Sequence, residues 1–181
     1  MQGMFSTIKA AIIDLDGTLL DTAADFHYAI NQMRAELSLA PLEVNTIKTF
    51  VGKGTENLIR RVLSVDYNDE ETEERFSEAL ASYSHHYFTI NGSYSLLYPN
   101  VIEGLHALKV RGLRLACVTN KPINFAKPLL EKKELAHYFE VIYGGDSLPR
   151  KKPDPLPLMQ VCKDFGLQPR QVVAIGDSTN D

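Results

Sequence analysis

Four short apolar runs, separated by segments with helical spacing, constrain the fold of this chain more than any other feature. Each run has the length of a strand and lacks polar alternation, a pattern typical of strands buried inside a parallel sheet. Strands that alternate with helices favour parallel pairing, because each crossover between parallel strands needs a helix or a long connection. The predicted strands are 8–15, 113–119, 139–144 and 172–176. A predicted helix precedes each of the last three strands, at 100–110, 124–133 and 156–165.

The interval between the first two apolar runs predicts an inserted domain. It spans about eighty residues, which is too long for a single crossover, and its apolar residues recur at helical spacing throughout. We therefore expect a three-layer α/β core with a parallel sheet that is interrupted by an all-helical domain. The predicted boundaries place residues 1–20 and 96–181 in the core and residues 21–95 in the helical insertion.

Composition narrows the classes of partner. The chain has 181 residues, 44% of them hydrophobic and 23% charged, which suits one core with a modest accessory domain. A net charge of -4 gives no broad electrostatic attraction to nucleic acid or to an anionic membrane.

Cys117 and Cys162 have neither the spacing of metal ligands nor a disulfide framework, so we expect both to be reduced and buried. No stretch reads as a signal peptide or membrane span, and we expect a cytoplasmic protein.

Polar residues follow three of the four apolar runs. The first run ends in "AAIIDLDGTLLDT", which places Asp14 and Asp16 one residue apart. The second is followed by "TNK" at 119–121, and the fourth by "GDSTND" at 176–181. Because the carboxyl ends of parallel strands lie at one edge of a sheet, where ligands bind, we expect these residues to converge.

Converging aspartates indicate a particular chemistry. Two aspartates close together in the sequence are a weak signal by themselves, since aspartate is common in turns. Several carboxylates in one place repel one another unless a cation or a shared proton lies between them, and oxygen ligands favour Mg²⁺. Alternation along an extended strand puts Asp14 and Asp16 on the same side, so both can face one phosphoryl group. The sequence therefore predicts phosphoryl transfer, with one aspartate as nucleophile and the other as proton donor and acceptor.

At these residues the chain resembles the haloacid dehalogenase-like hydrolase superfamily, and most closely its phosphoglycolate phosphatase group. Four motifs of that superfamily occur in order, namely "DLDGTLLDT", "VTN", "KKPDP" and "GDSTND". The resemblance implies a Rossmann-like core with an inserted helical cap domain. It also implies a Mg²⁺-dependent phosphatase that hydrolyses a small phosphorylated metabolite, with 2-phosphoglycolate favoured, through an aspartyl phosphate.

The same resemblance implies a role for each motif residue. Asp14 would be the nucleophile and Asp16 the general acid and base. The metal would be bound by Asp14, the backbone carbonyl of Asp16, and Asp177. The phosphate-binding residues would be Thr119, Asn120 and Lys152. Ser178 and Asp181 would not bind the metal directly but would support the residues that do.

Within the helical insertion, "GKGT" at 52–55 offers a further candidate. It lacks the upstream spacing of a Walker motif and follows no buried strand, so a nucleotide-binding loop is not expected. Its glycines would make a flexible cationic loop, and Lys53 could contact an anionic substrate. A solvated lysine is an equally good interpretation of Lys53.

Two alternatives to a phosphatase remain open from the sequence. A sugar-phosphate mutase of the same superfamily would keep all four motifs and differ in its cap. Members of the superfamily continue beyond "GDSTND" with another helix, so we expect a core truncated at the C-terminus. The fourth strand would then be an uncovered edge of the sheet, and the chain could be a catalytically silent fragment. The oligomeric state, the leaving group and the rate are not predicted.

Overall fold

The computed structural model describes residues 7–181. Two short 3₁₀ turns occur at Ala136–Tyr138 and Pro169–Gln171. The helices and strands, in chain order, are β1 (Ala10–Ile13), β2 (Leu20–Asp21), α1 (Ala23–Glu36), α2 (Val44–Lys48), α3 (Thr55–Leu63), α4 (Asp69–Ile90), β3 (Leu96–Leu97), α5 (Val101–Val110), β4 (Arg114–Val118), α6 (Ile123–Lys132), β5 (Val141–Tyr143), α7 (Leu156–Phe165) and β6 (Val172–Ile175).

The main sheet is parallel and has the order β5, β4, β1, β6. β1 lies in the middle, with Ala10 opposite Arg114 of β4 and opposite Val172 of β6. All four strands expected from the apolar runs are present, and the parallel α/β fold is confirmed. Each strand is shorter than its run, because the ladder ends where the chain turns into the loops at the sheet edge.

Side chains of β1 alternate between two apolar layers. Ala11 and Ile13 pack with buried residues of α5 and α6, including Leu105 and Leu129. Ala10 and Ile12 pack on the other face. The partners on that second face come from β4 and α7 and are Ala116, Val118, Val161 and Phe165. Helices therefore cover both faces of the sheet, which explains why its strands are apolar throughout.

The edge strand β6 is the most exposed part of the sheet. Val173 and Ile175 are 37% and 38% exposed, whereas the residues of the central strand β1 are buried. Among the described residues, β6 is the outer strand of the sheet next to β1. Cys117 and Cys162 are free and buried, as the sequence predicts.

The chain divides into two compact units. Unit 1 comprises Met1–Asp21 and Leu97–Asp181, and unit 2 comprises Thr22–Leu96. β2 and β3, at the two points where the chain passes between units, pair as a separate two-stranded sheet. Among the described residues, no helix combines the length and apolar character that crossing a bilayer requires.

Unit 2 consists of the helices α1–α4. Phe26 of α1 stacks near Tyr87 of α4 with ring centroids 5.4 Å apart, and α4 begins with a capping box between Asn68 and Glu71. Its first turn contains Asp69, Glu70 and Glu71, whose negative charges interact favourably with the N-terminal end of the helix dipole. The five-residue helix α2 was not predicted, because a single turn carries no apolar period to detect.

Two buried charged residues hold unit 2 together. Arg34 is 1% exposed, lies 2.9 Å from Asp66, and donates from Nε to the carbonyl of Ala40 at 2.6 Å. Asp25 is fully buried and accepts hydrogen bonds from the backbone N–H groups of Gly92 and Tyr94, both at 2.8 Å. Asp25 also accepts one from the Ser95 hydroxyl. These contacts tie the first turn of α1 to the segment after α4.

Candidate active site

Asp14 directly follows β1 at the carboxyl edge of the sheet. Its backbone N–H donates to the carbonyl of Ile175 at 3.0 Å, which continues the pairing with β6 by one residue. The side chain is 12% exposed, and its Oδ1 lies 2.9 Å from Nζ of Lys152. Burial raises the pKa of Asp14 to about 6, although the ammonium of Lys152 acts in the opposite direction. Asp14 is therefore a largely buried carboxylate that faces one lysine.

Asp16 faces a different lysine. Nζ of Lys121 lies 3.0 Å from Oδ1 of Asp16 and 3.2 Å from Oδ2, and the lysine side chain is only 2% exposed. Lys121 follows Thr119 and Asn120 in the loop after β4. Two neighbouring aspartates of one motif are thus paired with lysines from two different loops.

Asp177 lies in the loop after β6 and packs against the loop after β1. Its Oδ1 accepts a hydrogen bond from the Thr18 hydroxyl at 3.1 Å. Gly17 has a φ of +87°, and a Cβ at this position would overlap the carboxylate of Asp177. Gly17 therefore allows both the left-handed turn after Asp16 and the close approach of Asp177.

Asp181 belongs to the same cluster of acids. Its Oδ1 lies 2.5 Å from Nζ of Lys152, and its Oδ2 accepts from the N–H and hydroxyl of Ser178, each at 3.0 Å. Although burial works against it, these donors and Lys152 lower the pKa of Asp181. Among the described residues, Asp14, Asp177 and Asp181 are the acidic group that could hold a metal ion, with one carboxylate oxygen from each lying within 4.8 Å of the others.

Lys152 joins the two ends of this cluster. Its side chain is 5% exposed and lies between the carboxylates of Asp14 and Asp181. Burial disfavours the ammonium form, but the two carboxylates outweigh burial and raise the pKa of Lys152. Asn120 holds the backbone of this lysine, since its side-chain amide donates to the carbonyl of Lys152 at 2.9 Å.

Thr119 directly follows β4 and is buried. Its backbone N–H donates to the carbonyl of Tyr143 at 3.0 Å, and its hydroxyl accepts from the N–H of Lys121 at 3.2 Å. The loops after β1, β4 and β6 and the segment before α7 therefore meet at one edge of the sheet. They bring together four carboxylates, two buried lysines, a hydroxyl and an amide.

Comparison with known proteins decides the family. A family model described as haloacid dehalogenase-like hydrolase matches residues 11–181. A phosphoglycolate phosphatase of Nitrosospira multiformis is 47% identical over 174 residues, which cover 96% of this chain and 77% of the relative. One from Thiobacillus denitrificans is 46% identical with the same coverage.

The chain belongs to the haloacid dehalogenase-like hydrolases.

A solved structure agrees with this assignment. The crystal structure of a predicted phosphoglycolate phosphatase from Haemophilus somnus is similar with a TM-score of 0.91 and 36% identity, over 97% of this chain and 79% of that one. The family resemblance stated from the four motifs is confirmed, and so is the class of enzyme, a phosphoric monoester hydrolase.

This haloacid dehalogenase-like hydrolase brings together every motif residue that the sequence singled out in its core. Asp181 shares the acidic cluster with Asp14 and Asp177, whereas the sequence analysis placed it behind the metal site. Ser178 supports Asp181 directly through two hydrogen bonds.

Lys121 is the residue of this hydrolase site to which the sequence analysis assigned no role, although it was among the polar residues expected to converge. The signal was available, because "TNK" follows a buried strand and a lysine buried there needs a carboxylate partner. Lys53 lies in unit 2, between α2 and α3, and is exposed. It is flanked by Gly52 and Gly54, which both have positive φ. Its contact with substrate stays a prediction.

Proposed function

We propose that this enzyme is a Mg²⁺-dependent phosphatase that hydrolyses a small phosphate monoester, with 2-phosphoglycolate as the favoured substrate, through an aspartyl phosphate on Asp14. The observation that carries the proposal is the convergence of Asp14, Asp16, Asp177, Asp181, Lys121 and Lys152 at one edge of the sheet. The names of the similar phosphatases support this choice of substrate.

The charge and donor set of the site suit a divalent cation. Four carboxylates face two lysines, so two negative charges are left uncompensated in a partly buried site. All available ligand atoms are oxygens, which favours Mg²⁺ over metals that prefer nitrogen or sulfur ligands. Asp14, Asp177 and the backbone carbonyl of Asp16 would hold the ion, with Asp181 and Ser178 beside them. When bound, Mg²⁺ would supply positive charge against the phosphoryl oxygens.

The chain's own residues then divide the reaction into two displacements. In the first, an oxygen of Asp14 bonds to phosphorus while the bond from phosphorus to the leaving oxygen breaks, and Asp16, which must be protonated at the start of this step, gives that oxygen its proton. In the second, Asp16 takes a proton from water as the water oxygen bonds to phosphorus. The bond to Asp14 breaks, inorganic phosphate leaves and both aspartates are restored.

Lys152 and the loop after β4 would bind the phosphoryl group. Lys152 already touches Asp14 at 2.9 Å, so its charge lies where the transferred phosphoryl group would arrive. The Thr119 hydroxyl and Asn120 lie beside it at the end of β4 and would offer donors to the phosphoryl oxygens. Unit 2 would be the cap domain, and the substrate would be a small phosphorylated metabolite. Cytoplasmic location stays a prediction.

Phosphate release from a panel of esters tests this proposal. We expect Mg²⁺-dependent release from 2-phosphoglycolate and none in the presence of a chelator. Asp14→Asn should abolish turnover, because the amide keeps the shape and loses the nucleophile. Glu78→Gln, which changes an exposed carboxylate in unit 2, should leave turnover unchanged.

Two further measurements separate the mechanism from its alternatives. Acid quenching during turnover should trap phosphate on the wild-type chain and not on Asp14→Asn. Release by Asp14→Asn at a rate near that of the wild type would refute the covalent route. Isomerisation of a hexose phosphate without net release of phosphate would identify a mutase instead.

A further inference from the structure

Lys121 is a buried cation to which the proposed reaction assigns no task. Its side chain is 2% exposed, yet it lies in the loop after β4 where the phosphoryl group would bind. Its ammonium contacts both carboxylate oxygens of Asp16, at 3.0 and 3.2 Å. Lys152 faces Asp14 and Asp181. The site thus has one lysine at the nucleophile and a separate lysine at the acid and base.

A contact to both oxygens fixes more than the distance between two charges. A carboxylate held by one oxygen can still rotate about its terminal bond, whereas an ammonium placed between both oxygens limits that rotation. Removing an ammonium from water is costly, so a lysine buried to this degree stays in place only with a well-formed partner. The Lys121 pair therefore constrains the direction in which Asp16 presents its oxygens.

The backbone of Lys121 is itself held by the loop after β5. The N–H of Gly145 donates to the carbonyl of Lys121 at 2.8 Å, and Asp146 accepts from the N–H of Ile123 at 2.7 Å. A Cβ on Gly144 or Gly145 would overlap the backbone of the Lys121 loop. The lysine therefore projects from a segment with little freedom to shift.

We propose that Lys121 is a positioning residue that holds the Asp16 carboxylate in line for proton transfer to the leaving oxygen and from the attacking water. This inference rests on the proposed function, in which Asp16 is the general acid and base. It assigns Lys121 no direct contact with the phosphoryl group or with the remainder of the substrate.

Leaving-group dependence measures this role directly. A nitrophenolate leaves without help from an acid, whereas an alkoxide needs a proton, so losing a positioned acid slows alkyl esters far more. Lys121→Met should lower kcat for 2-phosphoglycolate and for ethyl phosphate at least about tenfold more than kcat for 4-nitrophenyl phosphate. KM for 2-phosphoglycolate should change little. Lys127→Met, which changes an exposed lysine of α6, is the matched control. It should alter neither the ratio of kcat between alkyl and nitrophenyl esters nor KM for 2-phosphoglycolate.

A double variant keeps the test decisive if the single change unfolds the chain. Asp16→Asn with Lys121→Met removes both members of the buried pair and leaves no unpaired charge. If Lys121 acts through Asp16 alone, adding Lys121→Met to Asp16→Asn should lower kcat no further. Lys121→Arg should retain part of the wild-type leaving-group ratio, because guanidinium can also contact both oxygens.

Three outcomes would overturn the role of Lys121. The first is an equal loss for alkyl and nitrophenyl esters. The second is a rise in KM for 2-phosphoglycolate alone, which would make Lys121 a contact for the substrate carboxylate. The third is a full additional loss in the Asp16→Asn background. If the wild-type chain released phosphate from none of the esters, the proposed function itself would be refuted. This measurement does not depend on any variant, so the two failures can be distinguished.

Discussion

Asp14→Asn should stabilise the metal-free protein, although it destroys the proposed nucleophile. Burial raises the pKa of Asp14 from its ordinary value of 3.8 to about 6, even with Lys152 beside it. Between these values the folded protein keeps a proton that the unfolded chain has released, so the free energy of unfolding falls as pH rises through that window. At about 1.4 kcal/mol per pH unit, the ionised carboxylate costs the folded state about 3 kcal/mol above pH 6.

The variant removes that cost because asparagine is neutral in both states. We expect Asp14→Asn to raise the free energy of unfolding by about 3 kcal/mol at pH 8 and by about half as much at pH 5. Urea denaturation of both chains in chelator, at several pH values, measures the difference. Lys152 keeps its contact with Asp181 in the variant. Glu78→Gln should show no such pH-dependent gain.

Added Mg²⁺ should reverse the advantage of the variant. A ligand that binds only the folded form stabilises by RT ln(1 + [L]/Kd), and the wild type should bind Mg²⁺ more tightly because it keeps the Asp14 carboxylate. The melting temperature of the wild type should therefore rise more than that of Asp14→Asn. An Asp14→Asn chain that is less stable than the wild type at pH 8 in chelator would refute the argument from burial.

Three further changes test other parts of the structure. Gly17→Ala should raise the Mg²⁺ concentration needed for half-maximal activity, because its Cβ would displace Asp177, whereas Gly112→Ala has a similar φ of +78° with open space around it and should not. Asp25→Ala should lower the free energy of unfolding by about 3 kcal/mol in a urea titration, because three donors lose a buried acceptor; an unchanged midpoint would contradict that role. Lys53→Ala should raise KM for 2-phosphoglycolate more than for a neutral ester, and equal effects would remove Lys53 from substrate recognition.

The local pattern of the sequence was sufficient to predict the four strands of the main sheet and the helices α5, α6 and α7, but not the short strands β2 and β3. Apolar runs without alternation predicted strands covered on both faces, and β1 does pack against helices on each side. The helix at Leu156–Phe165 was predicted at its observed bounds, since Gly166 adopts a left-handed conformation that ends it. Such features depend on neighbours within a few residues, so they can be predicted from the sequence alone.

The partners within the site were decided by the tertiary structure. Asp16 and Lys121 are 105 residues apart, and the sequence alone does not say which lysine faces which aspartate. The order β5, β4, β1, β6 places the loops after β4 and β6 on opposite sides of β1. Lys121 thereby reaches Asp16, while Asp181 joins Asp14 and Lys152. Motif spacing fixes which side chains arrive at the sheet edge, but strand order and loop packing determine the distances between them, because those contacts join segments far apart in the chain.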